Sequence, residues 1–510
     1  MTICINGITK KKLIAFLATL KLLLHFFSNS NYGLHRDEYL CLDEANHLGW
    51  GFLEVPPITP LIGKISLMFG SEPFFIRFFP AICGVLTLWL ICKMVQEMGG
   101  KFWAILLAGL AYIFAPAFLR SCTFLMPVCF NQFWWTLSAF LMIKITKNNI
   151  PKYWYLLGIV GGLAFQTKYS IVFFYVAIFG GLLMTSHRKL LFIKYPWIAL
   201  GIALGIAFRN LLWQHTHGWP VIHHMADLAE TQLVNVSAFN FIFDQLWVHG
   251  ASILVWLPGL IWLFWKGKKF RFLGWTFVFT IGILVLLSGK SYYSFGAYPM
   301  LMSAGGIFWE RLFLGKPIGL KVGVLVAMLF PNFFLLPMGL PILKIENVPA
   351  YCGKLAELGI EQRWEDGVVY QIPQDYADMH GWLELPEKVA KIYHALPPEK
   401  QKRTQIWGGH YGQAGVLNLF REKYNLPECV SMNASYPMWM PDSVDFDYQI
   451  LVDDSYYLES SWFSTHTLID SIQNPYARDV GCVYWRENPR MDMDSLWRTM
   501  LKEKRFWESD

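Results

Sequence analysis

The segment from His35 to Ile65 reads HRDEYLCLDEANHLGWGFLEVPPITPLIGKI, and it crowds carboxylates beside a guanidinium. Asp37 and Glu38 are adjacent, Arg36 precedes them, and Asp43, Glu44 and Glu54 follow before a Pro-Pro pair. A carboxylate within hydrogen-bond reach of a hydroxyl can take its proton as the oxygen attacks an electrophile. The same position has a purely structural use, since Asp37 precedes Tyr39 to Leu48, whose periodicity is helical, and an aspartate there caps a helix. His47, His215 and His217 offer imidazoles that suit either a metal or hydrogen bonds at an aromatic interface.

Such a loop needs elements to hold it, and the composition says what kind. Of 510 residues 55% are hydrophobic, 17% aromatic and 16% charged, where a soluble domain carries about 25% charged residues. That excludes an ordinary soluble enzyme. Apolar stretches close to the ~20 residues that cross a bilayer recur along the first two thirds. They run over residues 13–27, 74–92, 102–119, 130–145, 154–166, 170–184, 197–213, 246–265, 272–288, 297–313 and 322–342, about eleven in all. Lys10, Lys11 and Lys12 precede the first, but no small-residue cleavage site follows it, so it reads as a retained helix.

Charge sets the orientation. The short loops holding Lys147 and Lys152, then Arg188, Lys189 and Lys194, then Lys266 to Arg271, then Arg311, Lys316 and Lys321 all fall on the side of the amino terminus, which is therefore cytoplasmic. An odd number of crossings puts the carboxy-terminal part outside, and with it the acidic first loop. Arg120, Lys168, Arg209 and Lys290 disobey the pattern, each at a predicted outer helix end. Cations there either snorkel to headgroups or, as a set, hold a phosphate at the outer interface.

The chain divides into a membrane domain, residues 1–343 with a first external loop over 30–73, and an external α/β domain, residues 344–510. In the tail 26 acidic residues face 17 basic ones, the reverse of the balance before it. Strands are expected at Gln405 to Gly408, Gln449 to Asp453 and Gly481 to Trp485. A Gly-rich turn over Gly408 to Gly415 leads to a helix through Val416, Leu417, Leu419 and Phe420. That turn, GGHYGQAG, lacks GxGxxG spacing and a phosphate-loop lysine, so it does not signal a nucleotide. Nine cysteines show no CxxC spacing, and only Cys352, Cys429 and Cys482 lie in the tail.

The Asp-Glu pair just outside the first helix, the amphipathic segment and the acidic residue before Pro-Pro resemble the membrane glycosyltransferases of the GT-C class. The likeness is closest to bacterial family 39 members related to protein O-mannosyltransferases and lipid A aminoarabinose transferases. It continues in FNQFWW (Phe130 to Trp135), QTKYSIVFF (Gln166 to Phe174), NLLWQHTHGWP (Asn210 to Pro220), GKSYYSFGAYPML (Gly289 to Leu301) and HYGQAGVLNLF (His410 to Phe420).

The resemblance implies a polytopic α-helical membrane protein of GT-C-like fold with a C-terminal external α/β domain. It implies transfer of a sugar from a polyprenyl-phosphate donor to a glycan, lipid or protein acceptor, at the periplasmic face of the inner membrane and with no nucleic acid involved. Asp37 is then the base and Glu38 its neighbour, with Arg36, Lys168, Lys290, Arg120 and Arg209 binding the donor phosphate. Glu54, His47, Tyr292 and Tyr293 fall to substrate binding. Some relatives use a glutamate at the place of Glu54 as a metal ligand, so a divalent cation enters as a candidate cofactor, with Glu54 and His47 its candidate ligands. Val55 stands where those relatives carry a phosphate-binding lysine, which shifts that task to Arg36, Lys168 and Lys290. Asn131 stands where related sequences carry aspartate. A transporter or flippase would share the hydropathy, and a non-catalytic assembly protein would share the fold.

Overall fold

The computed structural model describes residues 9–231, 233–456, 460–479 and 481–508, so the first eight residues of the expected membrane domain and the last two of the tail lie outside the described residues. Two compact units emerge. One comprises the chain up to Asn29, Arg77–Leu211 and Asp227–Ile342; the other comprises Ser30–Ile76, Leu212–Ala226 and the chain from Leu343 onward. The first loop, expected as part of the membrane domain, thus shares a unit with the tail.

The first unit is helical, and a helix falls on each of the eleven apolar stretches. Among the described residues three helices are long and apolar enough to cross a membrane alone, Pro73–Glu97, Lys194–Thr216 and Lys268–Leu286. Two bent pairs bring the number to five if each is one span. Glycines let backbones touch: a Cβ on Gly305 would strike the Val255 carbonyl and one on Gly259 the Leu301 carbonyl, as small residues permit between membrane helices.

Hydropathy misplaced several boundaries. The stretch 102–119 breaks after Phe114, because Pro116 removes a backbone donor and disfavours helical geometry at Ala115 before it. The stretch 246–265 is two helices, Ala238–Trp247 and Gly250–Trp265, bent by 90°. Gly250 takes φ +53° in that bend, where Asn332 Oδ1 accepts the Ala251 N–H at 2.8 Å. Arg209 is not at a helix end, since Lys194–Thr216 continues about two turns past it.

In the second unit the helix after the first span is α1 (Arg36–Asn46), beginning earlier than the expected Tyr39. The tail carries β1 (Thr404–Gly408), α2 (Tyr411–Tyr424), β2 (Cys429–Val430), β3 (Tyr448–Asp453), β4 (Phe463–Asp470) and β5 (Cys482–Pro489). The sheet order is β2-β1-β3-β5-β4, with β1 parallel to β2 and β3, and β5 antiparallel to β3 and β4. The three expected strands are present. β4 escaped notice because its alternation ends on exposed Leu468 and Ile469. Cys352, Cys429 and Cys482 are buried free thiols.

The expected turn Gly408–Gly415 is shorter, because α2 already starts at Tyr411. Gly412 and Gly415 are helical, and their lack of a side chain is what lets α2 lie against α1. A Cβ on Gly415 would sit 2.9 Å from the Tyr39 backbone, and one on Gly412 would sit 3.1 Å from the Arg36 Cβ.

Candidate active site

Two helix N-termini meet at Asp37, and each is capped by a histidine. At α1 the His35 Nδ1 accepts the Asp37 N–H at 3.1 Å while Glu38 Oε2 accepts the His35 N–H at 2.8 Å. At α2 the His410 Nδ1 accepts the Gly412 N–H at 2.9 Å while Gln413 Oε1 accepts the His410 N–H at 3.1 Å. Both are capping boxes with imidazole in place of a hydroxyl. His35, not Asp37, therefore caps α1. Fully buried Glu38 spends an oxygen on the box, and its place is to fix the entry of α1.

Asp37 is left for other work. Its side chain is 44% exposed, and its polar contacts among the described residues fall on one oxygen. Tyr411 Oη donates to Oδ1 at 2.8 Å, with Arg36 Nε at 3.8 Å and His35 Nδ1 at 4.0 Å from the same atom. Desolvation and then the Asp37 charge push the Tyr411 phenol well above its usual range, so it stays a donor. The Arg36 guanidinium also lies over the Tyr411 ring, 5.7 Å from its centroid.

Behind them sits buried Asp378, missed by sequence reasoning because it is one of many acidic residues in the tail. Its carboxylate faces His35 Nε2 at 3.5 Å, Arg36 Nε at 3.7 Å and Arg478 Nη1 at 3.3 Å, and its carbonyl accepts the Arg36 N–H at 3.1 Å. Burial works to raise its pKa, but the His35 hydrogen bond and the two guanidinium charges outweigh it and hold Asp378 at about 2. Tyr411 and His410 were legible only as part of a motif whose glycines drew the eye.

Among the described residues neither Glu54 nor His47 belongs to a cluster of three or more possible metal ligands. Ser435 Oγ donates to Glu54 Oε2, and Glu54 is paired with buried Glu44. Loss of hydration lifts Glu54 to about 7, and desolvation followed by the Glu54 charge lifts Glu44 well above the carboxylate range, so the pair retains a proton at neutral pH. His47 bonds the Asp43 carbonyl through Nδ1 at 3.0 Å and faces Glu428 with Nε2 at 3.6 Å.

Among the described residues one group does converge as metal ligands would, His410, Asp454 and Asp479, with ligand atoms within 4.8 Å of one another. Its donor set fits poorly. The Gly412 N–H occupies the Nδ1 lone pair, so Nε2 carries the hydrogen and points it at Asp479 and Asp454, 3.3 and 3.4 Å away. A divalent cation would have to strip that nitrogen.

In the helical unit the family-like motifs gather on one turn, Gln166–Ser170. Trp134 Nε1 donates to Thr167 at 2.9 Å, Asn131 Nδ2 to Ser170 at 3.3 Å, and Asn210 Nδ2 to Tyr169 Oη at 3.1 Å. Lys168 in this turn lies over the rings of Tyr292 and Tyr293, 5.4 and 4.9 Å from their centroids, and feels the charge of Lys290. Asn131 serves as an anchor for this turn. Arg120 lies in the last turn of the short helix Pro116–Ser121.

A family model described as Dolichyl-phosphate-mannose-protein mannosyltransferase matches residues 54–213. The chain is 21% identical over 332 residues to the lipid A galacturonosyltransferase RgtD of Rhizobium johnstonii, which spans 59% of this chain and 69% of that protein. Its fold is similar to that of ArnT from Cupriavidus metallidurans. Against the undecaprenyl phosphate complex the TM-score is 0.61 at 14% identity, covering 93% of this chain and 97% of ArnT. Against the apo state it is 0.58 at 14% identity, covering 93% and 98%.

Proposed function

From a chain with the GT-C fold of membrane glycosyltransferases of the protein-mannosyltransferase and ArnT type, we propose an inverting transferase that moves a sugar from a polyprenyl-phosphate donor to an envelope acceptor. The chain crosses the inner membrane about eleven times, with its amino terminus cytoplasmic and the domain from residue 344 periplasmic. The observation that carries the reading is the half-exposed Asp37 carboxylate, anchored through Oδ1 by Tyr411.

In the reaction Asp37 Oδ2 takes the proton of the acceptor hydroxyl as its oxygen attacks the anomeric carbon from the face opposite the phosphate. The bond between that carbon and the phosphate oxygen breaks, and its electron pair leaves on the lipid phosphate. That leaving group needs charge neutralisation more than a proton. Burial strips hydration from the Lys168 ammonium and the Lys290 charge opposes it further, both of which an anion relieves, and Tyr292 and Tyr293 wall the Lys168 ammonium. Arg36 holds Asp37 and Asp378 in place.

The test is Asp37→Asn. The amide keeps shape but takes no proton at neutral pH, so transfer from the lipid-linked donor should fall at least about a thousandfold while thermal stability and donor affinity stay near those of the wild type. Near-normal turnover would remove Asp37 as the base.

A further inference from the structure

Helix α1 has chemistry at both ends. Asp37 stands at its start and His47 just past its end, ten residues on, which at about 1.5 Å per residue is about 15 Å away. His47 lines a cavity of about 400 Å³ whose walls also include Trp213, His217, Trp439, Asp442, Arg505 and Trp507. None of these residues takes part in the proton transfer described above. Ligand cavities of small-molecule size fall in the range of about 300–1,000 Å³.

Flat apolar faces and oriented polar edges alternate around it. Trp439 lies on His47 with centroids 4.7 Å apart and planes within 8°, and Trp213 lies on His217 at 4.4 Å and 23°. Trp507 closes on His217 at 5.6 Å. Arg505 is largely buried and clamps the loop beside Trp439: Nε donates to the Pro437 carbonyl at 2.7 Å, Nη2 to the Met440 carbonyl at 2.5 Å and Nη1 to Asp442 Oδ1 at 2.6 Å. Asp442 is held by that one oxygen and is otherwise 85% exposed. The Trp439 indole N–H is buried with no hydrogen-bond partner among the described residues.

We infer that this cavity is a saccharide subsite, taking an uncharged pyranose unit of the acceptor remote from the hydroxyl that reacts. A pyranose ring has apolar C–H faces that pack on indole and equatorial hydroxyls that a planar carboxylate and an indole N–H bond at the edge. The Arg505 charge is matched by the Asp442 carboxylate, and three of its five N–H groups go to two carbonyls and that carboxylate, which disfavours a phosphate here. Because Asp37 is about 15 Å along α1, the unit bound here is not the one being glycosylated. The acceptor is therefore an oligosaccharide or the glycan part of a glycolipid. The assignment to the acceptor rests on the transferase reading; binding of a saccharide does not.

The experiment uses the purified full-length chain in detergent, titrated with linear glucose oligomers, N-acetylglucosamine oligomers and galacturonic acid oligomers, read by calorimetry and tryptophan fluorescence. At least one uncharged series should bind saturably and tighter than the uronate series. Trp507→Ala, at a partly buried side chain, and Asp442→Asn, which leaves the Arg505 bonds to carbonyls, should each weaken binding at least tenfold with Tm retained. Asp37→Asn should bind as the wild type does, so loss of the base assignment and loss of the subsite are separate results. The inference is overturned if no series binds, if both variants bind unchanged, or if brominated lipid rather than any saccharide quenches the cavity tryptophans.

Discussion

Tyr411 fixes which oxygen of Asp37 is available. With Oδ1 held at 2.8 Å by a phenol that burial keeps protonated, the carboxylate is restrained, and Oδ2 is the oxygen left for the hydroxyl in the proposed transfer. Tyr411→Phe removes only that restraint. Turnover should fall about tenfold with the donor KM and Tm little changed, since misorientation acts on the transition state, whereas a merely structural tyrosine would move Tm instead. Glu54 and Glu44 give a second expectation. Both carboxyls have folded pKa values above the ~4.3 of an unfolded glutamate, so between there and about 7 the folded chain holds protons that the unfolded one has released. The Glu54 contribution is present in acid and is lost as pH rises through about 7, and that of Glu44, also raised, is lost in the same direction. Glu54→Gln is neutral throughout, so a Tm profile across pH 5 to 8 should fall less steeply for the variant than for the wild type. Asp378 works in the opposite sense, its contribution being lost only as pH falls from about 4 through about 2.

The elements bring these residues together by allowing α1 and α2 to touch along their first turns. Gly415→Ala tests that. Alanine is intrinsically the better helix residue by about 1 kcal/mol, yet its Cβ would meet the Tyr39 backbone at 2.9 Å and overpacking typically costs about 1–3 kcal/mol. A lowered Tm with reduced transfer is expected; a raised Tm would mean the contact is loose. The sequence shows GGHYGQAG but not that two of its glycines are helical, because the reason lies in Arg36 and Tyr39, some 370 residues away in the chain. The same limit hid Asp378 and Tyr411 as partners of Asp37. Local signals fared better: the helix after the first span and the three expected strands follow from periodicity. His35 as the cap of α1 was missed because histidine is a rare substitute for the hydroxyl or amide that usually accepts there.

At the scale of the whole chain, the composition carries the furthest. Apolar stretches coincide with helices throughout the first unit, but apolarity does not record bends, and Pro116 and Gly250 turn expected single spans into pairs. Orientation depends on charge instead. Glu97 sits beside Lys144 and Lys147 at 2.8 and 2.7 Å, so one of the two lysines assigned to the loop of Lys147 and Lys152 is partly neutralised, while Lys266, Lys268, Lys269 and Arg271 carry the asymmetry with no ion pair among the described residues. The sugar transfer proposed here needs Asp37 and the tail on the side away from the amino terminus. Single cysteines at exposed Lys268 and Glu399, in a background whose native cysteines are replaced, decide it with a membrane-impermeant maleimide on intact spheroplasts. Glu399→Cys should label without permeabilisation and Lys268→Cys only after it. The reverse pattern would put the Asp37 carboxylate in the cytoplasm, where the acceptor glycans of an envelope are not exposed, and the transferase reading would fall with it.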